Sequence, residues 1–317
     1  MTGQRGADGR ADGARSVPAE PSWIDVAGRG GRLKALSWGP DEGPIALCLH
    51  GFPDTAYGWR KIAGPLTAAG WRVVAPFMRG YAPSDIPDDG DYHIGALMDD
   101  ALRVHAAVGG SSCDVVIGHD WGAAVATGLA AMPDSPFSRA VVMSVPPAAA
   151  FRASGRRGRL LLELPRQMLR SWYMFFIQLP RLPERSTSWL VPLLWRRWSP
   201  GYHDDEDLRH VDAAIGSRAG WQAALGPYRS VLRPGKPATD AYAALDTWWL
   251  QKPQLPTLYL HGRDDGCMSV ALGQRSATVL PPGSAVGVVE NAGHFLQLEQ
   301  PDEVAALIRA FIGDPES

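Results

Sequence analysis

The chain has 317 residues, enough for one large domain or for a core that carries an inserted subdomain. With 45% apolar and 20% charged residues and a formal net charge of -2, it has the balance of a globular protein and lacks the basic excess that nucleic acid or an anionic membrane would call for. Its three cysteines, Cys48, Cys113 and Cys267, are scattered and odd in number, which argues against a disulfide framework or a zinc pattern and suits a reduced, cytoplasmic compartment.

Residues 1–21 are mostly Gly, Ala, Arg, Asp and Pro with no continuous apolar run, so a disordered tail is expected and not a secretory signal. Ile24–Val26 and Leu33–Trp38 flank a Gly-Arg-Gly-Gly turn and read as an antiparallel hairpin at a sheet edge. Ile45–His50 is nearly all apolar, as expected of a strand buried on both faces, and Gly51-Phe52-Pro53 ends it. A helix through Trp59–Ala69 leads to a strand at Arg72–Pro76, and a helix through Ile94–Val108 leads to a strand at Asp114–Gly118. Ala140–Ser144 supplies one more strand. This alternation predicts a mostly parallel, doubly wound α/β sheet whose ligand sites lie beyond the carboxyl ends of the strands.

From residue 146 to 252 the alternation stops, and arginines, tryptophans and prolines dominate. An inserted helical cap is expected there, between core segments 22–145 and 253–317. The longest apolar stretch, Ser171–Leu179, is about half of what a bilayer span needs. The core then resumes with a strand at Thr257–His261, a helix near Ser269–Leu280, a strand near Ala285–Val289 and a final helix over Asp302–Ile312.

The chemistry concentrates at strand ends. Gly118-His119-Asp120-Trp121-Gly122 follows a strand and opens the small-residue helix Ala123–Ala131, the strand-turn-helix of a nucleophile elbow with Asp120 at its apex. The flanking glycines allow strand and helix to approach closely. At a helix N-terminus Asp120 should stay ionised. A carboxylate needs no base to attack a saturated carbon, so the expected intermediate is an alkyl ester of Asp120. Hydrolysis of that ester requires an activated water and donors for the oxyanion. His294, in Asn291-Ala292-Gly293-His294-Phe295, follows the last strand and is the expected general base. The orienting acid should lie in Gly262-Arg263-Asp264-Asp265-Gly266, where Asp265 is preferred and Asp264 is the fallback.

With His50-Gly51-Phe52-Pro53 and Trp59-Arg60, Arg79-Gly80-Tyr81-Ala82-Pro83-Ser84-Asp85, the Asp120 elbow, and Gly293-His294-Phe295 with Glu299 and Pro301, residues 22–312 resemble the epoxide hydrolase branch of the α/β-hydrolase superfamily, close to the haloalkane dehalogenases. The resemblance implies an α/β-hydrolase fold, an oxyanion hole built from the backbone N–H groups of Phe52 and Trp121, and two cap tyrosines that hydrogen-bond an epoxide oxygen. Tyr173, by its spacing to Gln178, and Tyr228, in Gly226-Pro227-Tyr228-Arg229, are similar to that pair, although the family more often carries larger residues than Gly226-Pro227. The expected reaction opens a small, largely apolar epoxide to a diol, with water as co-substrate and with no cofactor or metal. A homodimer is left open.

Two other readings compete. A haloalkane dehalogenase would use the same acid, base and nucleophile and hold the departing halide with Trp121, but Phe52 stands where such enzymes often carry Asn. A ligand receptor could reuse the pocket without catalysis. His50 and His119 are expected to brace the backbone, with His119 directed away from the nucleophile. Arg152, Arg156, Arg157 and Arg159 are expected to form a solvated face.

Overall fold

The computed structural model describes residues 20–152, 165–203, 205–233 and 237–315. Most of the expected tail, together with Arg156, Arg157 and Arg159, lies outside the described residues.

Strands β1 (Ser22–Ala27), β2 (Arg32–Trp38), β3 (Ile45–Leu49), β4 (Arg72–Pro76), β5 (Val115–His119), β6 (Arg139–Met143), β7 (Thr257–Gly262) and β8 (Ala285–Val289) form one sheet in the order β1-β2-β4-β3-β5-β6-β7-β8. The hairpin β1-β2 joins β4 antiparallel, and every later neighbour is parallel. The expected α/β architecture is therefore present, with α1 (Arg60–Ala68), α2 (Ile94–Ala107) and α3 (Trp121–Ala131) alternating with the strands.

The central strands β3 and β5 are buried throughout because both of their faces are covered. Ile45, Leu47 and Leu49 of β3 enter one layer of the core, with Val116 and Leu129, while Ala46 and Cys48 enter the other, with Trp59 and Val73. That two-sided burial explains why period-two alternation is missing from the sequence here. Between β6 and β7 every described element is helical, including Trp172–Ile177, Thr187–Trp198, Asp205–Ile215, Arg218–Ala224 and Gly226–Leu232. These helices are tied to the core by Trp195 Nε1, which donates to the Pro53 carbonyl at 2.9 Å, and by the Arg60–Asp207 ion pair.

One element departs from expectation. Instead of a helix over Ser269–Leu280 there is a single turn at Val270–Gly273 followed by a 3-10 turn at Gln274–Thr278. Gly273, a poor helix former, sits at the break. It packs so tightly that a Cβ there would lie 2.7 Å from both His261 Nδ1 and the Tyr259 hydroxyl. Among the described residues, no helix is long and apolar enough to cross a membrane.

Candidate active site

Asp120 occupies the turn between β5 and α3 with φ 54° and ψ −116°, in the left-handed region that side chains rarely adopt. The flanking glycines make the turn sterically feasible. A Cβ on Gly118 would lie 2.1 Å from the Gly122 carbonyl oxygen, and one on Gly122 would lie 2.0 Å from that of Leu49. The bend aims the buried carboxylate beyond the strand ends, where its Oδ1 accepts the Phe52 N–H at 2.8 Å. Trp121 N is close by, since a Cβ placed on Gly51 would meet both that nitrogen, at 2.6 Å, and Asp120 Oδ1, at 2.5 Å.

His294 lies past β8 with its ring wholly buried between two carboxylates. Its Nδ1 is 3.0 Å from Asp265 Oδ2 and its Nε2 is 3.4 Å from Asp120 Oδ2. The Nδ1 contact is a hydrogen bond, whereas the Nε2 contact is an ion-pair distance without hydrogen-bond alignment. Asp265, at the end of β7, is buried and accepts the N–H groups of Cys267 and Met268 on Oδ1, at 2.6 and 2.9 Å. Asp264 is exposed. Of the two candidate acids, only Asp265 touches the imidazole.

Electrostatics follow from that geometry. Burial alone would neutralise His294, yet Asp265 and Asp120 overcome it and raise the imidazole to about 10. Burial likewise pushes both carboxyls up, but His294 on each, with the Phe52 N–H on Asp120, brings them below their ordinary value. The three side chains therefore rest as carboxylate, imidazolium and carboxylate. Two nearby histidines are neutral: burial pushes His50 down to about 4 and His119 down to about 3. His50 Nδ1 donates to the Gly51 carbonyl at 2.9 Å and its Nε2 accepts the Met78 N–H at 3.0 Å, which requires the neutral Nδ1–H tautomer. His119 Nε2 donates to the His294 carbonyl at 2.9 Å, joined there by Ser144 Oγ at 2.7 Å. Both rings brace backbone.

Asp120, Trp121, Tyr173, Met174, Tyr228 and Cys267 line a cavity of about 100 Å³. Tyr228 is gripped edge-on by Phe52, Trp121 and Tyr173, with ring centroids 5.2, 4.8 and 5.6 Å away. By donor–acceptor geometry its hydroxyl is buried without a hydrogen-bond partner among the described residues, as is Trp121 Nε1. The Tyr173 hydroxyl lies 3.6 Å from the Cys267 sulfur. Burial, with a contribution from Asp120, holds both phenols well above their ordinary value, so both keep their protons.

The sequence offered no signal for the residues that steady this arrangement. Gln167 donates to the Cys267 carbonyl at 2.8 Å and accepts the Ser269 N–H at 3.0 Å, while Arg170 donates to the Asp265 carbonyl at 3.0 Å. The Trp198 carbonyl accepts the N–H groups of both Gly266 and His294, each at 3.0 Å. A helical segment outside the core thus fixes the loops of acid and base together. An amide and a main-chain carbonyl in an arginine- and leucine-rich stretch carry no recognisable pattern.

Residues 44–301 match a protein-family profile described as the alpha/beta hydrolase fold. Among curated proteins, the chain is 30% identical over 289 residues to AB hydrolase superfamily protein YfhM of Bacillus subtilis, covering 88% of this chain and 94% of that protein. It is also 30% identical over 303 residues to Epoxide hydrolase 3 of Mus musculus, covering 91% of this chain and 76% of that protein. Among solved structures, Epoxide Hydrolase A from Mycobacterium thermoresistibile superposes with a TM-score of 0.74 at 25% identity, covering 93% of this chain and 99% of that one.

Proposed function

The chain belongs to the α/β-hydrolase fold family, in its epoxide hydrolase branch, and on that footing we propose that it opens a small, largely apolar epoxide to a diol through an ester on Asp120. The observation that carries this reading is a shared cavity: the Asp120 carboxylate and two protonated phenols line one small space, and the Tyr228 hydroxyl there lacks a partner among the described residues. A buried donor without an acceptor is costly, so a ligand oxygen is its natural complement.

In the first step an Asp120 oxygen bonds to an epoxide carbon and the ring C–O bond breaks. Tyr173 and Tyr228 hydrogen-bond the departing oxygen. Because burial makes these phenols poor acids, the proton that ends on that oxygen is supplied at the expense of the His294 imidazolium. Ester formation removes the charge of Asp120, and His294 then faces one carboxylate instead of two. Its proton affinity falls, which turns the resting cation into a base.

In the second step neutral His294 takes a proton from water, and the hydroxide attacks the Asp120 carbonyl carbon. The N–H groups of Phe52 and Trp121 receive the oxyanion. Collapse releases the diol, with its last proton coming from the newly formed Asp120 carboxyl, and returns the carboxylate-imidazolium pair. Water is consumed and no proton is gained or lost overall.

The cavity lining favours apolar ligands, because its amide and hydroxyl, Gln167 and Ser171, are bonded to each other at 3.0 Å. Residues 146–252 act in this scheme as a cap that closes the cavity and supplies both phenols. Three cysteines without a disulfide suit a cytoplasmic setting. One observation favours a second reading: the unpartnered Trp121 Nε1 could hold a halide, making the protein a dehalogenase. Panels of epoxides and haloalkanes separate the outcomes, with diol expected, halide supporting the second reading, and no product indicating a ligand receptor. Single turnover in heavy-oxygen water should leave the isotope in Asp120, and finding it only in the diol would remove the ester from the mechanism.

A further inference from the structure

The segment that lines the cavity on its inner side is unusual on its outer side. Gln167, Ser171, Tyr173 and Met174 face the cavity. From the same stretch and the helix that follows, Met168, Leu169, Phe175, Leu179, Leu182 and Trp189 are exposed, from 43% for Leu179 to 77% for Leu169. They are six of the ten exposed large apolar side chains among the described residues. Beneath them the half-buried Phe176 joins Trp172 to Trp189, with ring centroids 6.1 and 5.5 Å away. Apolar clusters of this kind mark interaction surfaces, whereas single exposed leucines do not.

Charge identifies the partner. Between residues 165 and 200 there are six exposed arginines, of which Arg166, Arg181, Arg185, Arg196 and Arg197 remain for the outer surface once Arg170 is assigned to the Asp265 carbonyl. The single acid there is Glu184, half-buried and engaged by Arg229 at 2.6 Å. The net charge of -2 conceals this local excess. Arg197 also lies over the Trp172 ring, 5.8 Å from its centroid. Exposed tryptophan, phenylalanine and leucine interspersed along one stretch with exposed arginines is the composition of a surface that rests in a lipid headgroup layer. A second copy of this chain fits poorly, because a two-fold contact across the patch would set arginines against arginines.

We propose that the outer face of residues 166–197 docks peripherally on an anionic phospholipid surface, with the aromatic patch entering the headgroup region and the arginines pairing with lipid phosphates. Docking would set the wall of the cavity against the phase in which apolar ligands collect.

The test is co-sedimentation of the full chain with vesicles of phosphatidylcholine alone and of phosphatidylcholine mixed with phosphatidylglycerol. Binding should require the anionic lipid and weaken with added salt. Arg185→Glu with Arg196→Glu, and separately Leu169→Ser with Phe175→Ser and Trp189→Ser, should each weaken it by about tenfold or more. Turnover of a water-soluble epoxide and the melting temperature should stay at the unsubstituted level, which separates lost docking from lost folding. Equal binding to both vesicles, no binding to either, or binding untouched by both sets of substitutions would overturn the proposal. So would a concentration-dependent dimer that the apolar substitutions dissolve.

Discussion

In this chain His294 Nε2 stands 3.4 Å from Asp120 Oδ2, within ion-pairing distance but out of hydrogen-bond alignment. Asp265 and this pair together keep the imidazole charged, while the nitrogen that would receive a proton from water in the proposed cycle is not locked to the carboxylate. In the proposed cycle, a base that is cationic at rest and basic only after its neighbour is esterified resolves an apparent conflict, because an imidazole held near 10 could not otherwise act as a base at neutral pH.

His294→Gln should therefore stop the cycle at the ester. Intact mass should rise by one substrate, and steady-state turnover should fall by on the order of 10²–10⁴-fold. Full turnover without an adduct would take the base assignment away from His294.

The same contact predicts a pH dependence of stability. The folded value of His294 is raised from 6.5 to about 10, so its contribution is complete below the unfolded value, declines as pH rises through that interval, and is gone above it. The carboxyls of Asp120 and Asp265 are lowered, so their contributions hold above their ordinary value and are lost as pH falls through the folded one. Melting temperature should drop from pH 6.5 to 10 in the native protein and vary less in His294→Gln. Parallel curves would contradict a charged resting imidazole.

Tyr228→Phe removes a buried hydroxyl that has no partner among the described residues. The melting temperature should hold or rise, since an unsatisfied buried group costs about 1–3 kcal/mol, while epoxide opening should slow. With Tyr173→Phe added, the loss should reach on the order of 10²–10⁴-fold. Destabilisation at unchanged rate would reassign Tyr228 to packing.

The adjacent acids should behave unequally. Asp265→Asn takes the charge from the carboxylate bonded to His294 Nδ1 and should lower kcat by about a hundredfold or more. Asp264→Asn, on an exposed side chain, should leave kcat unchanged. Equal effects on kcat would dissolve the distinction.

Gly122→Ala tests the elbow itself. The new methyl would lie 2.0 Å from the Leu49 carbonyl oxygen, and both partners are backbone. Thermal unfolding should reveal a loss at or above the roughly 1–3 kcal/mol typical of overpacking. Undiminished stability would mean that strand and helix can separate there.

Much of this molecule was legible from local pattern. The α/β class followed from apolar runs alternating with helical periodicity, because strands covered on both faces and helices on one leave different spacings of apolar residues. Asp120 was visible because a side chain at φ 54° between two crowded backbones demands glycine on either side, and that demand is written in five consecutive residues. The 3-10 turn after Gly273 was not visible, since its cause is the approach of Tyr259 and His261 from another strand.

The choice between Asp264 and Asp265 shows where sequence stops. As neighbours in one turn they have the same chemistry, and only the fold turns Asp265 inward to His294 and leaves Asp264 in water. The roles of Gln167 and the Trp198 carbonyl and the surroundings of the Tyr228 hydroxyl arise from segments far apart in the chain. Sequence alone determined which residue types could perform the chemistry, because those requirements are local and steric. Tertiary structure decided which of them meet and in what charge state, because burial and the distance between charges exist only once the chain has folded.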